Sequence, residues 1–143
     1  MKREGIDGNS AAKKKVLFVC THNSARSQMV EGLLNALYGA KYEARSAGTE
    51  PTDVNPLAIE VMREIGIDIG HQRSKGIDEF EDETFDYAVT VCDRARETCP
   101  FFPAKVVMHQ SFADPSTIDE FRRVRDEMRR WIEKVFGNEC EGD

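Results

Sequence analysis

Short apolar runs alternate with helical patterns along this chain, and this alternation restricts the possible folds more than any other feature. Four runs have the length and composition of strands: 16–19, 42–47, 85–91 and 105–108. Three segments carry apolar residues at helical spacing and end at a glycine: 29–37 before Gly39, 58–65 before Gly66, and 118–135 before Gly137. Right-handed crossovers place helices on the faces of a parallel sheet. We therefore predict a three-layer α/β sandwich, with helices on both faces of a central four-stranded parallel sheet.

The chain length fits one domain. Its 143 residues suit a single compact unit, which we predict to span residues 16–137. Residues 1–15 mix small, polar and basic side chains without periodicity, so they are expected to form a flexible tail. Residues 138–143 form a short polar C-terminal tail in this interpretation.

Charge excludes several classes of partner. Twenty basic and 26 acidic residues give a net charge of −6, and the predicted tail is itself basic, so the remaining body is more acidic still. This balance argues against general binding to nucleic acids or anionic membranes. The N-terminal segment lacks the apolar stretch of a secretory signal, and the apolar runs are too short to span a membrane. We expect a cytoplasmic protein.

Four cysteines are present: Cys20, Cys92, Cys99 and Cys140. A reducing compartment does not maintain a disulfide scaffold, so structural, metal-binding and catalytic roles all stay open for these thiols. The spacing between Cys92 and Cys99 lacks the close pairing of a zinc site. The histidines His22, His71 and His109 do not form a metal spacing either, and no metal site is predicted.

A Cys-x5-Arg segment, residues 20–27, joins the first strand to the first helix and is called the anion loop below. A loop of this length at a helix N-terminus can direct several backbone N–H groups at one point, where the helix dipole adds positive potential. Arg26 can add a bidentate guanidinium fork. The loop therefore predicts a site for a tetrahedral oxyanion.

The same environment favours the thiolate form of Cys20, which would face a bound oxyanion as a nucleophile. Ser27 can support that thiolate with its hydroxyl, while Asn23 tolerates positive φ and Ser24 can bond neighbouring amides. The predicted substrate-binding residues are Thr21, His22, Asn23, Ser24, Ala25, Arg26 and Ser27.

The anion loop and several other motifs resemble those of a known protein family. From Val16 onward the chain resembles the low-molecular-weight protein tyrosine phosphatase fold, and more closely its thioredoxin-coupled arsenate reductase branch. The resemblance rests on CTHNSARSQM (20–29), SAG (46–48), VNP (54–56), VTVC (89–92), CP (99–100) and DP (114–115). Ala25 departs from the pattern, because many members carry another cysteine there. This removes a possible backup partner for Cys20 but no essential catalytic group.

The resemblance implies a reaction as well as a fold. It implies that Cys20 attacks arsenate, that Asp114 protonates the leaving oxygen, and that Cys92 and then Cys99 resolve the adduct through successive disulfides. Thioredoxin, or a similar dithiol protein, would reduce the last disulfide, and no bound cofactor is needed. Residues 16–137 would then be a catalytic domain, and Cys140 an exposed thiol without a role.

Two other functions stay open. A low-molecular-weight tyrosine phosphatase would use Cys20 and the same loop to hydrolyse phosphate monoesters, with the other thiols protecting Cys20 from oxidation. A non-enzymatic anion sensor would need only the loop. Asp114 has a simpler alternative as well, since Asp-Pro is common in solvated turns.

Overall fold

The computed structural model describes residues 13–92 and 104–137. Within these ranges the strands are β1 (Lys14–Cys20), β2 (Tyr42–Gly48), β3 (Phe85–Thr90) and β4 (Ala104–His109). The helices are α1 (Arg26–Tyr38), α2 (Pro56–Glu64) and α3 (Ile118–Ile132). A 3-10 helix (Ile77–Phe80) precedes β3, and a π-helical turn (Glu133–Gly137) extends α3. No helix in the described ranges has the length and apolar content to cross a membrane.

The four strands form one parallel sheet in the order β2-β1-β3-β4. β1 pairs on both sides, and its side chains from Val16 to Cys20 are at most 3% exposed. Successive side chains of a strand point to opposite faces, so both faces of the sheet are covered at β1. The predicted fold class, an α/β fold on a four-stranded parallel sheet, is confirmed.

Aromatic rings join the π-helical turn to one face of the sheet. Phe136 makes edge-to-face contacts with Tyr42 and Tyr87 at centroid distances of 5.0 and 6.0 Å. Phe18 in β1 contacts both Phe136 and Trp131, each at 6.4 Å. These contacts fix the C-terminal end of α3 against the middle of the sheet.

β1 begins at Lys14, two residues earlier than the apolar run predicts. Lys14 and Lys15 pair in register with Tyr42 and Glu43. The Lys15 N–H donates to the Asp86 carboxylate at 2.8 Å, so polar contacts extend the strand beyond the buried run. The predicted tail of residues 1–15 therefore overlaps the folded part at its last residues. The predicted C-terminal tail, residues 138–143, lies outside the described residues.

Two caps define helix starts near the site. The Asn55 side chain accepts a hydrogen bond from the Leu57 N–H at 2.8 Å, and Pro56 occupies the first position of α2, as the Asn-Pro pattern predicts. α3 begins with a capping box in which Thr117 and Glu120 bond each other's backbone N–H groups. The two caps thereby fix where α2 and α3 begin.

Candidate active site

The anion loop lies at the carboxyl edge of the sheet, between the end of β1 and the start of α1. In parallel α/β sheets ligands bind at this edge. Asn23 has φ of 52°, the left-handed conformation expected for it from the sequence. This residue turns the chain from the strand into the helix.

The first five carbonyl groups of the loop, those of residues 20–24, accept hydrogen bonds from neighbouring segments. Those of Cys20, Thr21, His22 and Ser24 accept backbone N–H groups from residues 49–55, at distances between 2.7 and 3.2 Å. The Asn23 carbonyl accepts from Gln28 Nε2 at 3.0 Å. Among the described contacts, the N–H groups of residues 22–25 donate to no protein acceptor. The loop thus has its donors available for an anion.

A buried hydrogen-bond network beneath the loop holds Cys20 and Asn23. Cys20 Sγ lies 2.9 Å from Ser27 Oγ, and Asn23 Nδ2 donates to the same oxygen at 2.8 Å. Asn23 Nδ2 also donates to Ser46 Oγ at 2.9 Å, and the Lys75 N–H donates to Asn23 Oδ1 at the same distance. The side chains of Asn23 and Ser27 are fully buried, so they shape the loop from below.

A buried ion pair underlies this network. Ser46 Oγ donates a short hydrogen bond to Glu31, whose Oε1 lies 3.9 Å from Lys75 Nζ. Burial raises the pKa of Glu31, while the Ser46 hydrogen bond and the Lys75 ammonium act in the opposite direction. Burial also lowers the pKa of Lys75, against the effect of Glu31. Glu31 and Ser46 thus connect the Lys75 ammonium to Asn23 of the anion loop.

Gly48 lets the loop approach the end of β2. A Cβ at this position would lie 2.6 Å from the Thr21 carbonyl oxygen and 2.8 Å from the Asn23 nitrogen. Both atoms are backbone, so a larger residue would displace the loop itself.

Arg26 and Asp114 meet at the mouth of the loop. Arg26 Nη1 donates to the Phe112 carbonyl at 3.2 Å, and Nη2 lies 3.7 Å from Asp114 Oδ1. Cys20 opens into a cavity of about 210 Å³ here, which we call the anion recess. Its lining residues are Cys20, His22, Ser24, Ala25, Arg26, Asn55, Asp114 and Pro115. The structure therefore brings the predicted nucleophile, arginine and acid to one recess.

Cys92 lies in a neighbouring cavity of about 450 Å³, which we call the thiol recess. It follows β3, is 3% exposed, and its Sγ is 3.4 Å from Thr21 Oγ1. The lining residues are Thr21, His22, Arg26, Cys92, Ser111, Phe112, Ala113 and Asp114. His22, Arg26 and Asp114 line both recesses, so the second thiol borders the anion loop. Cys99 and Cys140 lie outside the described residues.

The His22 side chain is about half exposed at the boundary of the two recesses. Its Nε2 lies 3.9 Å from Glu50 Oε1, while its carbonyl accepts from Ser74 Oγ at 2.8 Å. Within residues 13–92 and 104–137, no group of three or more His, Cys, Asp or Glu side chains is arranged to hold a metal ion.

Residues 15–140 match the family model described as low molecular weight phosphotyrosine protein phosphatase. This chain belongs to that family. Arsenate reductase 1 of Staphylococcus epidermidis is 45% identical over 124 residues, which are 85% of this chain and 94% of that protein. A solved structure described as an arsenate reductase in the phosphate binding state has a TM-score of 0.76 and 32% identity, covering 87% of this chain and 98% of the other.

The chain is also similar to a solved structure of the thioredoxin-dependent arsenate reductase of Corynebacterium glutamicum. It has a TM-score of 0.71 and 26% identity, over 90% of this chain and 65% of that one.

Sequence reasoning missed three residues around this family site. Glu31 lies in an amphipathic helix, where a carboxylate is expected to face solvent. Lys75 lies in a segment that has no periodic hydrophobic pattern. Phe112 supplies a backbone carbonyl to Arg26. No local sequence pattern indicates these roles. Lys75 and Phe112 contact loop residues that lie more than 20 positions away in the sequence, and Glu31 is linked to the loop through Ser46 on β2.

Proposed function

We propose that this protein reduces arsenate to arsenite by a thiol relay that starts at Cys20 and passes through Cys92 and Cys99. One observation carries the proposal: a second buried thiol, Cys92, borders the anion loop that holds the first. A hydrolytic phosphatase needs one thiol, whereas reduction by two electrons needs a second to form a disulfide. The arsenate reductases named above support this choice over the phosphatase alternative.

The first step forms a bond between Cys20 Sγ and arsenic. The loop N–H groups and Arg26 would hold the arsenate oxygens, which lowers the cost of charge that accumulates on them. One oxygen leaves as water after it accepts a proton, and Asp114 is the proposed donor. Asp114 and Cys20 both line the anion recess, which supports this role.

The second step transfers the electrons. The Cys92 thiolate attacks Cys20 Sγ, a disulfide forms, and the sulfur–arsenic bond breaks with its electron pair on arsenic, which leaves as arsenite. Thr21 Oγ1, which lies 3.4 Å from Cys92 Sγ, would support the attacking sulfur. The attack brings the two free thiols to bonding distance.

The third step frees the anion loop. The Cys99 thiolate attacks Cys92, which moves the disulfide to Cys92–Cys99 and releases Cys20 as thiolate. Thioredoxin or a similar dithiol protein then reduces this disulfide and is itself oxidised. The proposed reaction uses no bound cofactor, and its thiols require a reducing compartment such as the cytoplasm.

Among the described residues, those that line the anion recess include no Phe, Tyr or Trp, while Phe112 lines the adjoining thiol recess. The choice of arsenate over an aryl phosphate therefore rests on the second thiol rather than on this lining. Slow hydrolysis of aryl phosphates through Cys20 is still expected, because the loop and Arg26 serve both reactions.

Disulfide mapping after one turnover tests the relay. The protein is incubated with arsenate but no reductant, alkylated, and digested for mass spectrometry, with arsenite quantified in parallel. We expect one Cys92–Cys99 bridge for each arsenite released. In Cys99→Ser the bridge should stop at Cys20–Cys92, and in Cys92→Ser no arsenite should form.

Cys140→Ser is the matched control and should retain full turnover. Arsenate turnover at the normal rate in Cys92→Ser would exclude the relay. Rapid hydrolysis of phosphotyrosine peptides without arsenate-dependent oxidation of thioredoxin would instead establish the phosphatase. If Cys20→Ser kept the full biological effect, a binding role without catalysis would explain the protein.

A further inference from the structure

Phe112 contacts both halves of the site through its backbone. Its N–H donates to the Val91 carbonyl at 3.2 Å, one residue before Cys92. Its own carbonyl accepts from Arg26 Nη1 at 3.2 Å. One peptide segment therefore joins the end of β3, which carries the second thiol, to the arginine of the anion loop.

The Phe112 ring fixes this segment to the core. The side chain is 6% exposed and packs edge-to-face on Trp131 of α3, at a centroid distance of 5.9 Å. Trp131 in turn contacts Phe18 and Phe136. The position of the Phe112 carbonyl is thus set by aromatic packing that reaches the middle of the sheet.

The Arg26 contact uses one edge of the guanidinium. Nη1 is engaged by Phe112 and Nη2 lies 3.7 Å from Asp114 Oδ1, so two contacts orient the guanidinium. No described contact engages Nε, so the edge formed by Nε and Nη2 can bind an oxyanion in bidentate fashion. A released guanidinium would sample many rotamers and lose that orientation.

We propose that Phe112 is a positioning residue that orients Arg26 toward the oxyanion and holds the chain end at Cys92, with Trp131 as its anchor. The Cys92 part rests on the proposed function, whereas the Arg26 part concerns anion binding alone. An experiment can therefore contradict one part of the proposal without contradicting the other.

The test measures phosphate binding and thiol access in ring variants. Inorganic phosphate affinity is measured by calorimetry, and the alkylation rate of Cys92 by peptide mass spectrometry. We expect Phe112→Ala to raise the phosphate Kd about tenfold, because a weakened charge-assisted hydrogen bond is worth ~1.4 kcal/mol. Cys92 should be alkylated several-fold faster. Phe112→Leu keeps most of the apolar volume and should change the phosphate Kd and the Cys92 alkylation rate in the same direction but by less. It replaces the alanine variant in the test if that variant fails to fold.

Phe80 offers a matched control. Its ring is 3% exposed and packs edge-to-face on Phe85 at 5.8 Å, at the opposite end of β3. Phe80→Ala should destabilise the fold to a similar degree but leave the phosphate Kd and Cys92 alkylation within about twofold of the unmodified protein. Trp131→Phe keeps an aromatic ring against Phe112 and should retain the phosphate affinity. Trp131→Ala removes that ring and should weaken phosphate binding.

A double variant separates positioning from general loosening. If Phe112 acts through Arg26, Phe112→Leu should add less than about twofold to the phosphate Kd in an Arg26→Ala background. Full additivity of the two losses would overturn the Arg26 part, as would equal effects of Phe80→Ala. Unchanged Cys92 alkylation in both Phe112 variants would overturn the Cys92 part. Neither result depends on whether arsenate is reduced.

Discussion

The anion recess and the thiol recess share three lining residues but are held in different ways. Beneath the first, hydrogen bonds run from the loop through Asn23 and Ser46 to Glu31, which forms a buried ion pair with Lys75. In the second, the described residues give Cys92 Sγ one hydrogen-bond contact, the hydroxyl of Thr21 at 3.4 Å. The difference follows the proposed chemistry. An oxyanion site gains from donors fixed before binding, whereas a resolving thiol has to travel to its target.

Removing the charge beneath the anion recess should have the largest effect. Lys75→Met leaves the Glu31 carboxyl buried without its counter-ion, which we expect to cost about 3 kcal/mol in the free energy of unfolding. Urea unfolding measures this loss. The Lys75→Met/Glu31→Gln double variant should recover most of it, because no uncompensated charge remains. A double variant as unstable as the single one would contradict this account of the ion pair.

Arg26→Ala tests the anion recess directly. Loss of the guanidinium should weaken phosphate binding about 30-fold, which corresponds to ~2 kcal/mol for hydrogen bonds to a charged group. Arg63→Ala removes the same charge from an exposed position on α2 and is the control. Deletion of residues 2–12, which carry balanced charges, should change the affinity less than about twofold. Equal losses from Arg26→Ala and Arg63→Ala would show that long-range charge governs capture.

Thr21→Val probes the thiol recess and should have a smaller effect. The variant keeps the loop backbone but removes the hydroxyl beside Cys92, so formation of the Cys20–Cys92 disulfide should slow about fivefold. Rapid-quench alkylation after arsenate addition measures that rate. The phosphate Kd should stay unchanged. A weakened phosphate affinity with an unchanged disulfide rate would reverse the assignment of Thr21 to the thiol side.

Glu64 lines neither recess, so its substitution should change the stability of the fold and the pH dependence of that stability but not anion binding. Hydrogen bonds from Arg122 and then Arg125 lower the pKa of Glu64 from 4.5 to about 2. A carboxylate with a lowered pKa in the folded state stabilises the protein above the unfolded pKa and loses that contribution as the pH falls toward 2. Glu64→Gln should therefore flatten the dependence of the urea midpoint on pH between 4.5 and 2. Phosphate affinity should not change.

The sequence predicted the strand order along the chain and the Cys-x5-Arg loop because both depend on local patterns. Apolar runs specify buried strands, and a cysteine between strand and helix marks the loop. The start of β1 was predicted two residues late, because Lys15 is held by Asp86 and Glu83 rather than by apolar burial. Local hydropathy does not register such distant polar partners.

The sequence alone therefore determined the fold class and the position of the anion loop, and it predicted Cys20 as the nucleophile, since each follows from neighbouring residues. Tertiary structure decided what supports them. It brought Lys75 beneath Asn23 and the Phe112 carbonyl to Arg26, and it placed Cys92 beside Thr21. These contacts join residues 52 to 86 positions apart, and only the pairing of strands in the folded sheet brings such groups within hydrogen-bond distance.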